Sequence, residues 1–207
     1  MPWVETFAQT LVPSRLTDGG EAFVRRVLSS TDLPADRVVV HVTGKVDTSG
    51  RFTRPATWQS TDSDQKAFEK AVKSAARHLR LSPAVVDSKR RSVWLSFSVV
   101  FEHVGGEVEV SVYPYLYSGE GGVQKNYSAP QRVINSGYPN MCRFQEGVIW
   151  SSVEVSAAGR PSEPEVVGVE GRCQSVLKQT LLEATYIPAI LDGSAVDSSY
   201  LEPWFMR

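Results

Sequence analysis

The sequence has few of the residues from which catalytic and metal sites are usually built. It contains two cysteines and three histidines in 207 residues, and His41, His78 and His103 stand far apart without a cysteine or carboxylate cluster beside them. Nucleotide-binding, zinc-protease, serine-hydrolase and C-x-x-C motifs are missing. We therefore expect no enzymatic activity, no metal and no cofactor.

The sequence also lacks an excess of charge of one sign and long apolar runs. Its formal net charge is −1 and its isoelectric point is about 6.3, so it has no positive field to hold a nucleic acid. No stretch approaches the roughly 20 apolar residues that a membrane-spanning helix needs. Hydrophobic residues make up 42% of the chain, which is enough to fill a core.

The first half of the chain alternates between strand and helix patterns. Residues 38–46 alternate as a half-buried strand, and residues 47–50 supply turn chemistry. Residues 62–79 have helical spacing behind a capping box of Asp62 and Gln65. Residues 93–101 then form a second strand, and residues 107–117 indicate one more, at an edge because it contains Pro114.

A polar, glycine-rich segment at residues 118–129 has no periodicity and predicts an inter-domain linker. It separates a first domain with an N-terminal extension, residues 1–117, from a second domain, residues 130–207. In the second domain the order of strand, turn, helix and strand returns.

Two pairs of short motifs indicate that the two domains are copies. Gly50-Arg51 in the first turn matches Gly159-Arg160 in the second, and Pro83-Ala84 after the first helix matches Pro188-Ala189. The matching order predicts an internal duplication, and the copies differ by a small insertion or deletion.

The second copy resembles the C-terminal domain of TonB, the energy-transducing protein of Gram-negative cell envelopes. The features that carry the resemblance, in order, are Tyr138-Pro139, Glu146-Gly147, Gly159-Arg160, Tyr186, Pro188-Ala189, Gly193 and a closing strand with Phe205. The resemblance covers roughly residues 130–205, and a more degenerate copy covers about residues 36–103.

The resemblance implies an α+β fold in which each repeated domain is a small antiparallel sheet with an amphipathic helix on one face. It also implies a non-enzymatic role in energy transduction and transport, in which the last strand, residues 196–205, receives a peptide segment of an outer-membrane receptor or another envelope protein by strand addition. The partner-binding residues that it implies are Asn135, Tyr138, Pro139, Ser198, Tyr200 and Trp204.

This sequence departs from the family at two of the positions that concern the partner. Asn135 stands where the best-known members carry glutamine, which keeps an amide but shortens its reach. Pro203 removes one donor from the closing strand and would shorten pairing at that end. The resemblance further implies a periplasmic location. It implies an inner-membrane anchor, formed by a segment outside this chain, through which the protein would contact an inner-membrane complex.

The two cysteines, Cys142 and Cys173, both lie in the second copy, and the first copy has none. This distribution predicts a local disulfide, whereas the alternative is a pair of buried thiols that act as small apolar groups. A disulfide agrees with the oxidising compartment that the resemblance implies.

Three further features leave alternatives open. The basic residues of the first helix and its surroundings form either a solvated face or a site for an acidic partner or the cell-wall polymer; they are Lys66, Lys70, Lys73, Arg77, Arg80, Lys89, Arg90 and Arg91. Tyr113, Tyr115 and Tyr117 form either a peptide platform or packing between the domains. The protein as a whole is either a binding module or a periplasmic scaffold whose two copies pack on each other and leave no open edge, with the cell-wall polymer as a further candidate ligand of the scaffold.

Overall fold

The computed structural model describes residues 11–16, 21–28, 37–59, 66–117, 126–134, 142 and 147–206. Strands dominate these residues, their pairs are antiparallel, and three helices accompany them, so the fold class is α+β. The expected capping box at Asp62 and Gln65 lies outside the described residues.

The first half of the chain contains two long central strands, an amphipathic helix and several strands of two or three residues. Its elements are β1 (Leu11–Val12), β2 (Arg15–Leu16), α1 (Glu21–Leu28), β3 (Val38–Val46), β4 (Phe52–Gln59), α2 (Lys66–Ala76), β5 (Leu81–Ser82), β6 (Ala84–Val86), β7 (Lys89–Arg91), β8 (Val93–Val104) and β9 (Glu107–Tyr113). Helix α2 buries an apolar stripe that includes Phe68, Val72 and Ala75, because helical spacing places these residues on one face.

The second half has a similar composition of elements. They are β10 (Tyr127–Ser128), β11 (Gln131–Val133), β12 (Gly147–Val155), β13 (Pro161–Val167), α3 (Gly171–Glu183), β14 (Tyr186–Ile187), β15 (Ala189–Leu191), β16 (Ser194–Val196) and β17 (Ser198–Met206). The closing strand therefore begins at Ser198, and Val196 lies in β16, where it pairs with Ala189.

The pairing of elements in one half corresponds to the pairing in the other. The long strands pair in the orders β4-β3-β8 and β13-β12-β17, the short strands form the sheets β1-β6-β7 and β10-β15-β16, and β2 pairs with β5 as β11 pairs with β14.

The predicted turn glycines occupy matching places in the two halves. Gly50 and Gly159 both have positive φ. A Cβ on Gly50 would lie 2.0 Å from the Leu81 carbonyl oxygen, and a Cβ on Gly159 would lie 2.7 Å from the Tyr186 carbonyl oxygen. Only glycine meets both conditions.

The two halves are joined through β11. This strand pairs with β14 of its own half on one side and with Val93 and Trp94 of β8 on the other, so one sheet runs through both halves in the order β14-β11-β8-β3-β4. The fully buried Gln131 accepts a hydrogen bond from the Ser14 N–H at 2.9 Å and donates one to the Ser14 carbonyl at 2.8 Å.

The predicted linker is partly regular structure. Its residues 127 and 128 form β10, and the Ala129 N–H donates to the Pro114 carbonyl, while residues 118–125 lie outside the described part. The division of the chain into domains at this segment stays a prediction.

The buried apolar residues form two clusters, the first of which includes Val133 and Ile187 of the second half. The first cluster lies between the large sheet and helices α1 and α2, and the second lies between the β13-β12-β17 sheet and α3. A disulfide joins Cys142 and Cys173 within the second cluster, as the sequence predicts.

Candidate functional site

The candidate site is the outer edge of β17. This strand pairs with β12 along all nine of its residues, from Ser198 opposite Val155 to Met206 opposite Gly147. No other described strand pairs with it, so β17 has one partner and one open side.

Backbone groups alternate along such a strand between the paired side and the open side. Proline lacks an N–H and is tolerated in a sheet where that position faces away from the ladder. The position of Pro203 therefore indicates that the backbone N–H and C=O groups of Ser199, Leu201 and Phe205 face the open side. The backbone donors of Tyr200 and Glu202 face β12.

The side chains of β17 alternate in the other sense, between the buried face and the outer face of the sheet. Tyr200, Glu202 and Trp204 are 4% exposed or less, and they point into the second core. The outer face carries Leu201, which is 36% exposed. Nearby, the exposed Val148 and Val167 belong to the same sheet and lie on the same face.

The buried face is organised by an ion pair between Arg132 of β11 and Glu202. Arg132 donates from Nε to Glu202 Oε2 at 2.7 Å and from Nη2 to Oε1 at 2.8 Å, and both side chains are buried. The Tyr200 hydroxyl donates to Oε2 at 2.8 Å, so the carboxylate accepts three hydrogen bonds. These bonds offset the cost of burying the charges.

Aromatic residues complete this cluster. The Arg132 guanidinium lies 5.5 Å from the ring centroid of Trp204, whose Nε1 donates to the Ser151 hydroxyl at 2.9 Å. Tyr186 packs edge-on against Tyr200 at 5.3 Å.

Ionisation in the cluster is shifted toward the paired, charged form of the arginine and the neutral form of the tyrosines. Burial, the largest single influence, lowers the pKa of Arg132, but the charge of Glu202, the hydrogen bond to it and the nearby Tyr200 and Tyr186 together outweigh burial, and the net shift is upward. Burial, followed by the charge of Glu202, raises the pKa of Tyr200 well above its usual value.

The six residues expected to bind a partner are placed as follows. Asn135, Tyr138 and Pro139 lie outside the described residues. Ser198 begins β17 and shares a 2.7 Å hydrogen bond with the Tyr127 hydroxyl, while Tyr200 and Trp204 bury their side chains in the core and direct their backbone groups toward β12, away from the open side. Their role in binding stays a prediction.

Sequence reasoning missed Arg132 and Glu202. The signal was available for one of them, because alternation from Tyr200 to Trp204 places Glu202 on the same face as two large aromatic residues. A buried carboxylate needs a partner, but the sequence does not identify Arg132, which is far away along the chain.

The tyrosines near β9 pack on one another and on the second half. Tyr113 stacks on Tyr117 with ring centroids 4.6 Å apart, and Tyr115 meets Tyr127 at 5.3 Å. These contacts agree with packing between the halves. All the basic residues noted around α2 are exposed except Lys73, which is half-buried.

Metal sites and membrane helices were also sought in the structure. The described residues include no group of three or more His, Cys, Asp or Glu side chains arranged to hold a metal ion. No helix among them has the length and apolar character needed to cross a membrane. Comparison of the chain with protein families, curated proteins and solved structures finds no match.

Proposed function

We propose that this protein is a non-enzymatic binding module of the cell envelope, similar to the TonB C-terminal domain, in which β17 receives a peptide segment of a partner as an added strand. One observation carries the proposal: among the described residues, β17 has a strand on one side only. The unpaired N–H and C=O groups of such an edge are satisfied by an incoming extended peptide.

The first half supports the proposal because its corresponding strand already has strands on both sides. β8 pairs with β3 on one side, and on the other with β11 at residues 93–94 and with β9 at residues 98–104. Within one chain, therefore, the same strand position accepts added antiparallel strands. In the second half, no described strand pairs with the corresponding side of β17, so a partner peptide can take that position.

The open side of β17 favours a short peptide. Ser199 and Leu201 each offer a donor and an acceptor, but Pro203 offers only an acceptor, so pairing weakens toward the C-terminal end. The exposed Leu201 of β17 would contact apolar side chains of the peptide, which projects every second residue to the same face of the sheet.

The second half is one of two tandem copies in this proposal. The corresponding pairing orders, the matching positions of Gly50 and Gly159 and the two Pro-Ala pairs support a duplicated domain. The first copy, whose edge is covered, serves as a support, and the second serves as the binding copy.

The disulfide supports a location outside the cytosol. Bridges such as that between Cys142 and Cys173 persist in oxidising compartments, of which the periplasm is one. In that compartment the partner would be an outer-membrane receptor or another envelope protein, and the process would be energy transduction or transport.

A scaffold role is the second candidate, and the junction between the halves favours it. β11 pairs with β8, and Trp58 of β4 contacts Trp150 and Phe205 with ring centroids 5.5 and 6.2 Å away. The copies thus pack on each other, and the C-terminal end of β17, where Pro203 is buried, takes part in this junction, whereas Ser199 and Leu201 lie nearer its other end.

The test begins with 12-residue peptides selected by phage display on the full chain. For the tightest peptide we expect Leu201→Pro, which removes one outward donor, to raise the dissociation constant about tenfold or more, and the matched Leu201→Ala to raise it about threefold or less. Thermal unfolding of both variants confirms that they fold.

A scan of N-methylated peptides makes the test specific for strand addition. Methylation of backbone nitrogens should weaken binding at every second position only, because alternate N–H groups face β17. In hydrogen exchange, the amides of Ser199 and Leu201 should become protected in the complex. A peptide that binds equally to Leu201→Pro and shows no two-residue period would contradict the proposal and leave the scaffold role.

A further inference from the structure

A cavity of about 530 Å³ opens at the junction of the two halves. Its wall combines β2 and β8 of the first half with β10 and the β15–β16 turn of the second half. The volume lies within the range of small-molecule sites, and a junction between repeated units is a common place for them. The cavity is separate from the open side of β17.

The floor of the cavity is apolar. Leu95 and Phe97 reach it from the buried face of β8, and Leu16 reaches it from β2. Tyr127 and Pro114 add further apolar surface. Such a floor accommodates an aromatic ring or a short aliphatic chain.

The wall includes Ser128, a buried residue whose hydroxyl faces no hydrogen-bond partner among the described residues. Ser128 is 7% exposed. Buried polar groups are nearly always hydrogen-bonded, so this hydroxyl is available to water or to a polar atom of a bound ligand.

Two charged residues lie at the rim, and only one of them is engaged. Asp192 accepts a hydrogen bond from Asn126 Nδ2 at 3.0 Å. Arg15 lines the cavity and is exposed, and its guanidinium pairs with no acidic side chain in the described part of the chain. An anionic group at the Arg15 side of the rim would find an accessible guanidinium there to accept hydrogen bonds from.

From these observations we propose that the cavity binds a small amphipathic anion, with an aromatic or aliphatic body on the Leu95–Phe97 floor and a carboxylate or sulfonate at Arg15. This site is independent of the strand addition proposed above. A partner peptide and such an anion would occupy the protein together.

Two fluorescent dyes with similar aromatic bodies test the charge preference. We use 8-anilinonaphthalene-1-sulfonate, which carries the anion, and N-phenyl-1-naphthylamine, which is neutral, on the full chain. We expect saturable one-to-one binding of the anionic dye, weakened about fivefold by Arg15→Gln. The matched Arg90→Gln, an exposed arginine on β7, should leave its binding unchanged, and neither variant should alter binding of the neutral dye.

Two further variants keep the test decisive. Asp192→Asn removes the negative charge at the rim, at a position with positive φ that asparagine tolerates, and should tighten binding of the anionic dye. Leu16→Trp fills the floor and should abolish binding of both dyes, and thermal unfolding verifies its fold. The proposal is overturned if neither dye binds one-to-one, or if Arg15→Gln and Arg90→Gln have equal effects on the anionic dye.

Discussion

The two halves of the chain differ most in the pairing of their corresponding long strands, β8 and β17. In the first half, β8 has strands on both sides, and the residues that face its core, such as Leu95 and Phe97, are apolar. In the second half, β17 has a strand on one side, and Glu202 stands where Phe97 stands in the first half, opposite the corresponding residue of the central strand.

The partner of that residue changes in the same way. Arg132 lies opposite Tyr186 as Leu16 lies opposite Leu81, so an apolar pair in one half corresponds to an ion pair in the other. A slip of β17 by one residue would move Glu202 to the outer face and leave Arg132 buried without its counter-charge. A strand that pairs on one side only, such as β17, therefore gains its register from a buried polar contact.

The largest expected effect comes from breaking the ion pair. Arg132→Met leaves Glu202 buried without its counter-charge, and we expect the free energy of unfolding to fall by about 3–5 kcal/mol. The double variant Arg132→Met/Glu202→Leu imitates the apolar pair of the first half and should recover most of this loss. Urea unfolding measures both variants. If the double variant is as unstable as the single one, the ion pair does not account for the effect.

The next largest effect concerns the disulfide, which only the second half has. The disulfide closes a loop of 31 residues. In the chain-entropy account, Cys142→Ser/Cys173→Ser should lower the free energy of unfolding by about 3–4 kcal/mol. Reduction of the unaltered protein with dithiothreitol serves as a control and should match the double variant. A loss below about 1 kcal/mol would show that the reduced loop is already restricted.

The third effect tests the first half, which contains all three histidines. His41 is buried against Trp58, and its Nδ1 lies 2.9 Å from the Ser98 hydroxyl, which accepts the Tyr117 N–H. Burial lowers the pKa of His41 from 6.5 to about 4. Between pH 6.5 and pH 4 the unfolded chain binds a proton at His41 that the folded chain does not bind. The free energy of unfolding should therefore fall by up to about 3 kcal/mol as the pH drops through this range.

Urea unfolding at pH 7 and pH 4.5 checks this expectation. His41→Gln should reduce the difference between the two pH values, and His78→Gln, which alters an exposed histidine, should retain it. Equal pH dependence in the two variants would assign the loss to other groups.

Several elements follow directly from the sequence. The alternation at residues 38–46 and 93–101 predicts β3 and most of β8, and helical spacing predicts α2 and α3, because each run is long enough to show its period. The turn glycines and the disulfide also follow. The resemblance to the TonB domain stays a prediction.

Other elements carry no such signal. β1, β2, β5, β10 and β14 have two residues each, which is too short for any period, and their partners are distant in sequence. The alternation in β17 predicts that Glu202 is buried, but only the folded chain reveals that β11 supplies Arg132 and also pairs with β8. For the same reason the sequence gives no indication of the cavity between the halves.

The contact between Gln131 and Ser14 has a consequence for the order of folding. Its two hydrogen bonds are those that a neighbouring strand would make, but they come from one side chain and join residues 117 positions apart. The other contacts of Ser14 and Arg15 reach to Ser82. During synthesis residues 14 and 15 emerge before residues 82 and 131, so this segment reaches its final position only after both partners have been made.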